Sequence, residues 1–106
     1  MAFISKSWDG AASRFKDTDA YCAACLVDSN ETGKPKIQAA CKLPVQEPTG
    51  EYNTNALLAA QGALLGARGG VDLPMPDKAM AARKLAHLMT QAKMEPNSGL
   101  MKLAGS

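Results

Sequence analysis

The chain has little of several things, and each shortage narrows what it can be. Phe3, Trp8, Phe15, Tyr21 and Tyr52 are its only aromatic residues, so no bulky aromatic core is available. A single histidine, His87, leaves one imidazole to act as a base or ligand. The net charge of +2 is too small for a nucleic-acid-binding stripe, and no basic run exceeds Arg83-Lys84. No segment approaches the roughly 18 apolar residues of a membrane span. The start, MAFISKSWDG, has one lysine and no apolar run, so it does not read as a signal peptide. P-loop, GxGxxG and GxSxG motifs are absent, as are internal repeats and low-complexity tracts. These shortages predict no cofactor, no membrane partner and no enzymatic activity, and they do not favour nucleic acid.

What is present describes a folded chain. With 46% hydrophobic and 21% charged residues, it is too apolar for intrinsic disorder. Its 106 residues suit one domain over 1–106, with an extended arm at 1–7 and a tail at 97–106. Alanine, leucine and methionine dominate the apolar set. They predict a thin core of closely approaching helices, with docking onto a partner as a source of further stability. Three cysteines, an odd number, with no leader point to free thiols in a reducing compartment.

The periodicity predicts a mainly α domain of about three helices, with a short extended segment or β-hairpin at residues 36–52. Phe3, Ile4 and Trp8 are anchors in the extended lead-in. Asp17 or Thr18 caps a first helix, Asp19 sits in its first turn, and Tyr21, Cys22, Cys25 and Leu26 share one face. That helix should stop before the polar loop Ser29–Gly33. Ile37, Ala39, Cys41 and Leu43 alternate with more polar neighbours as a short or edge strand, ended by Pro44. Pro48-Thr49-Gly50 reads as a tight turn. A second helix runs from about Ala56 to Arg68 after Asn53-Thr54-Asn55. Gly62 and Gly66 within it imply close backbone approach to offset their low helix propensity. The third helix runs from Pro76 to about Lys93 and buries Ala81, Leu85, Leu88, Met89 and Ala92. Leu100–Leu103 reads as a docking segment or a frayed end.

Two clusters bear on chemistry. Cys22 and Cys25 form a CxxC that, with Cys41 and His87, could in principle converge as four zinc ligands. The pair lies inside a predicted helix, not on a knuckle or at a helix start, so the bland reading is preferred. In it Cys25 is a small buried hydrophobe and Cys22 lies at the edge of the same face. The same placement counts against a redox pair. Lys78, Arg83, Lys84 and Lys93 are the candidates for a phosphate-binding face on the third helix, although a solvated face is the simpler account.

Several stretches together resemble a small module of tailed-phage and prophage proteins. Trp8-Asp9-Gly10-Ala11-Ala12-Ser13-Arg14-Phe15 is similar to its WDGSASRF opening, and Cys25-Leu26-Val27-Asp28 to its CLID or CLVD. Residues Lys42 to Gly50, KLPVQEPTG, resemble its KLPVREPDG. Asn53, Asn55, Ala56 and Leu57 fit its N-x-NA[LV] start, residues 66–71 its GARGGV link, and Ala82-Arg83-Lys84-Leu85 its last helix. The similarity covers about residues 7–96. This chain departs from the pattern at Cys22, where a long polar residue is usual, at Gln46, usually arginine, and at Thr49, usually aspartate.

In that family the module stands alone or is attached to capsid-maturation proteases and other virion proteins. The resemblance therefore implies a stand-alone, non-enzymatic virion protein. It would be capsid-associated, a decoration protein or an assembly factor, found in the virion and in the host cytoplasm during assembly. Expected partners are capsid or other virion proteins, or further copies of the chain. Phe3, Ile4, Trp8, Leu100, Met101 and Leu103 are the candidate partner-binding residues. A small nucleic-acid-binding or regulatory protein, and a zinc or thiol protein, are the alternatives.

Overall fold

Asp17 begins the first helix. Its carboxylate accepts the Ala20 N–H at 2.8 Å and caps α1 (Thr18–Ala23), with Asp19 in the first turn. The structure, a computed structural model, describes residues 2–105 apart from the Arg68 side chain; the arm's first residue, Met1, and the tail's last, Ser106, lie outside the described residues. The fold class is mainly α, 48% helix and 13% strand, with four helices among the described residues. Two compact units divide the chain, Met1–Ala56 and Leu57–Ser106, where the sequence reads as one domain.

In the first unit, α1 is shorter than its apolar spacing predicts. It stops at Ala23, and Cys25–Asp28 is a strand, β2. The run Cys25-Leu26-Val27 satisfies a helical face and a buried strand equally well, and strand pairing decides between them. β2 lies antiparallel to β3 (Cys41–Pro44), with Cys25 opposite Pro44, Val27 opposite Lys42 and Asp28 opposite Cys41. The strand expected over 37–43 starts late. Gln38–Ala40 is a 3-10 turn and Ile37 is 65% exposed, while Cys41, Leu43 and Val45 keep the two-residue rhythm and are buried. Leu43 sits at φ 65°, a region that bulky residues avoid. Burial of its side chain opposes that backbone cost.

The tight hairpin around Pro48-Thr49-Gly50 is present. Gln46 bridges to Tyr52, and the Glu47 N–H donates to the Glu51 carbonyl at 2.8 Å. Tyr52–Asn53 forms β4, which pairs in parallel with β1 (Phe3–Ile4), Phe3 opposite Tyr52. Their ring centroids are 5.6 Å apart. Within the lead-in expected as an extended arm, Phe3–Ile4 is thus a half-buried strand, and residues 5–7 stay exposed.

The second unit holds α3 (Met75–Gln91), α4 (Ser98–Ala104) and all but the first turn of α2 (Thr54–Leu64). α2 ends earlier than expected because Gly66, at φ 99°, donates its N–H back to the Ala63 carbonyl at 3.2 Å, a left-handed cap. The stripe on α3 is as predicted at Ala81, Leu85, Leu88 and Met89, all buried; Ala92 lies just past the helix and is half-buried. α4 was not anticipated as a helix. Asn97 caps it by accepting the Gly99 N–H at 2.7 Å, and its own N–H donates to Gln61 Oε1 at 2.8 Å. Leu100 is wholly buried, and α4 packs against α3, where Arg83 Nη1 donates to the Ala104 carbonyl at 3.0 Å. Leu100 thus anchors the tail as a helix rather than a frayed end, while Met101 and Lys102 stay exposed.

Candidate functional site

Arg14 and Asn53 meet at one carboxylate, that of Glu47. Glu47, with a side chain only 2% exposed, sits at the turn of the 46–52 hairpin. Its Oε2 accepts from Asn53 Nδ2 at 2.9 Å, its Oε1 accepts from the Arg14 guanidinium, and Lys6 Nζ stands 3.9 Å away. Asn53 is wholly buried, and its Oδ1 accepts the Asn55 N–H at 3.0 Å, which caps the start of α2. Asn55 Nδ2 donates to the Lys6 carbonyl at 2.7 Å. Arg14 also donates to the Asp9 carbonyl and lies over the Trp8 ring, 5.7 Å from its centroid.

Gly10 completes this knot by its lack of a side chain. A Cβ there would fall 3.2 Å from Trp8 Nε1 and 3.3 Å from Pro44 Cγ. The WDGAASRF segment, the hairpin, the start of α2 and the chain after β1 are thereby joined through charged and amide hydrogen bonds. Hydrogen bonding from Asn53, with the nearby Arg14 and Lys6 charges, holds the Glu47 carboxyl below its ordinary range although burial pushes it up. Among the described residues, no buried side-chain nitrogen or oxygen lacks a partner. The arrangement is a satisfied structural network, and its members are occupied with one another.

The cysteines form a second cluster, with roles opposite to those the sequence suggests. Cys22, on α1, and Cys41, at the start of β3, are 2% and 3% exposed and form a disulfide, their Cα atoms 5.3 Å apart. This corrects the expectation of free thiols and of an incidental Cys22. Once α1 stops at Ala23, Cys22 faces β3 rather than lining a helical stripe with Cys25. Cys25 is the free thiol, half-buried, and its Sγ donates to the Tyr21 carbonyl at 3.3 Å. Burial pushes its pKa up to about 11, and burial likewise raises Tyr21 to about 12.

Asp28 lies close to the disulfide. The Lys36 ammonium, followed by hydrogen bonds from Asn30, holds its carboxyl down at about 2. Cys22, Cys41 and Asp28 have their ligand atoms within 4.8 Å of one another. Of the zinc set read from sequence, the structure brings Cys22 and Cys41 together and adds Asp28; Cys25 is turned to Tyr21, and His87 is exposed on α3 in the other unit. Asp28 and Asn30 were missed as members of this cluster. An aspartate and an asparagine two residues apart, the aspartate ending a cysteine-bearing strand, were the available signal.

The remaining candidates are dispersed. Phe3, Ile4 and Trp8 are half-buried, Leu100 is buried, Leu103 is half-buried, and Met101 stays 52% exposed. At about 100° per residue, Lys78, Arg83 and Lys84 point about 100–140° apart around α3, and Lys93 lies past its end, so they form no single basic face. An open groove of about 460 Å³ beside Phe15 is lined by Ser13, Asp17, Thr18 and Tyr21, but the Asp17 carboxylate is engaged as the α1 cap. No helix among the described residues is long and apolar enough to cross a membrane. Comparison of the chain with protein-family models, with curated proteins and with solved structures finds no match.

Proposed function

We propose that this chain is a non-enzymatic bacteriophage structural or assembly protein that acts through contacts with other virion proteins, in the virion and in the host cytoplasm during assembly. The observation that carries the reading is where the family-like residues go. Trp8, Asp9, Arg14, Glu47, Asn53 and Asn55 are all engaged with one another, as in a scaffold rather than a reactive centre. Contact with partners then falls to exposed apolar side chains. Ile37 offers this in the first unit, and Leu58, Leu65, Met75, Met80 and Met101 in the second. Phe3, Ile4 and Leu100 support the fold instead of serving as free arms. The test is co-purification of the tagged chain with capsid shells or portal from infected cells. Recovery at a fixed ratio to a capsid protein supports the reading, and a chain that associates with no virion component overturns it.

A further inference from the structure

We propose that the reduced chain holds a thiophilic divalent cation, Zn2+, between the thiolates of Cys22 and Cys41 and the carboxylate of Asp28. The side chain of Asn30 marks the place. Its Nδ2 lies 3.3 Å from Cys41 Sγ, 3.9 Å from Cys22 Sγ, 2.8 Å from Asp28 Oδ1 and 3.3 Å from the Ile37 carbonyl oxygen. An amide nitrogen carries two hydrogens. Asp28 Oδ1 also accepts the Asn30 N–H at 2.9 Å and the Ile37 carbonyl also accepts the Ala40 N–H at 3.1 Å, so the two sulfurs are the atoms this amide serves least. A centre of partial positive charge ringed by two sulfurs and two oxygens is the surrounding a cation requires. Two thiolates with a carboxylate suit zinc rather than magnesium or calcium.

Asn30 lines an open groove of about 330 Å³ with Lys34, Pro35 and Ile37, and the same side chain contacts the sulfurs. Lys36 pairs with Asp28 Oδ2, while Oδ1, which accepts from both the Asn30 N–H and Nδ2, faces the site. The inference rests on these contacts alone and stands apart from the virion reading.

Reduction precedes binding. A phosphine gives its lone pair to one sulfur and the S–S bond breaks; water supplies an oxygen to phosphorus and a proton to each sulfur. Zn2+ then displaces both thiol protons to solvent, and the Asn30 amide swings out. A water donating to the Ile37 carbonyl completes four ligands. Zn–S bonds of about 2.3 Å place the sulfurs about 3.8 Å apart at a tetrahedral angle, a separation that side-chain rotation supplies.

The experiment titrates the phosphine-reduced full chain with Co2+, whose thiolate charge-transfer band reports sulfur ligation. The expected result is a band that saturates at one Co2+ per chain and is displaced by Zn2+. It is absent from the oxidised chain and from Cys41→Ser, and unchanged in Cys25→Ser. Asp28→Asn weakens binding by about tenfold or more, since even indirect partners of a metal have effects of that size. Far-ultraviolet circular dichroism accompanies each sample, and any helical signal lost on reduction returns with Zn2+. The proposal is overturned by no band from the reduced chain, a band that survives Cys41→Ser or vanishes with Cys25→Ser, an affinity unchanged in Asp28→Asn, or a lost signal that Zn2+ leaves unrestored.

Discussion

Glu47 places a carboxylate where almost no water reaches it, and Asn53, Arg14 and Lys6 make that tolerable. Removing the charge leaves Arg14 without its counter-charge, but Arg14 keeps the Asp9 carbonyl and is 29% exposed, so water takes part of the load. Glu47→Gln is expected to cost about 2–4 kcal/mol in urea unfolding, below the largest values for broken buried pairs. The pH dependence has a definite sign. A carboxyl held below its ordinary value of 4.5 stabilises the fold fully above that pH, and the contribution is lost as pH falls through the folded-state value. The acid limb of the stability curve below about pH 4.5 should flatten in Glu47→Gln; an unchanged limb would show that Glu47 does not set it.

Cys25 gives a second prediction at this scale. With its pKa pushed up to about 11 from the ordinary 9.0, native Cys25 should alkylate at pH 8 at least about tenfold more slowly than in the urea-unfolded chain. Less thiolate is present, although a more basic thiolate is more nucleophilic; equal rates would contradict this. The sequence spacing assigned the structural role to Cys25 and the incidental one to Cys22. Strand pairing reversed them, since β2 carries the Cys25 thiol away from Cys41.

At the scale of elements, the two glycines of the second helix separate. The sequence implied close approach at both. A Cβ on Gly62 would meet only the Ala67 Cβ at 3.5 Å, an ordinary contact, whereas Gly66 stands in open space at φ 99°. Gly62→Ala should raise stability by about 0.5–1 kcal/mol through helix propensity, and Gly66→Ala should lower it by about 1 kcal/mol through left-handed backbone strain. Thermal melts of the pair should shift in opposite directions, and shifts in the same direction would contradict this account. The α3 stripe was legible because seventeen residues repeat one period. β2 was not legible, because four residues, Cys25–Asp28, are too few to distinguish a strand from a helical turn. α4 was hidden for the same reason, its seven residues depending on the Asn97 cap and on burial of Leu100.

For the whole molecule, the main stability lever is the Cys22–Cys41 cross-link. Closing a loop of 19-residue sequence separation removes unfolded-state entropy worth about 3 kcal/mol. Urea unfolding with and without a phosphine, in metal-free buffer, should differ by about that amount, and coincident curves would show that the bond adds nothing. A chain assembled in the host cytoplasm, as proposed, would meet reducing conditions there and oxidising ones after release. The cross-link would then close late.

The mainly α class, helix starts near Asp17-Thr18 and Asn53-Thr54-Asn55, the buried stripe of α3 and the turn at Pro48-Thr49-Gly50 were all readable from the amino-acid order alone. Each of these is fixed by neighbours within a few residues, through hydrogen bonds to the adjacent backbone or through one helical period. Only the tertiary structure decided the rest: β1 against β4, β2 against β3, the Arg14–Glu47–Asn53 knot, and Cys22 joined to Cys41 with Asp28 and Asn30 beside them. Those pairings join residues distant along the chain. Which of several compatible partners meet depends on backbone donors finding acceptors and buried charges finding counter-charges, and local spacing carries no record of that choice.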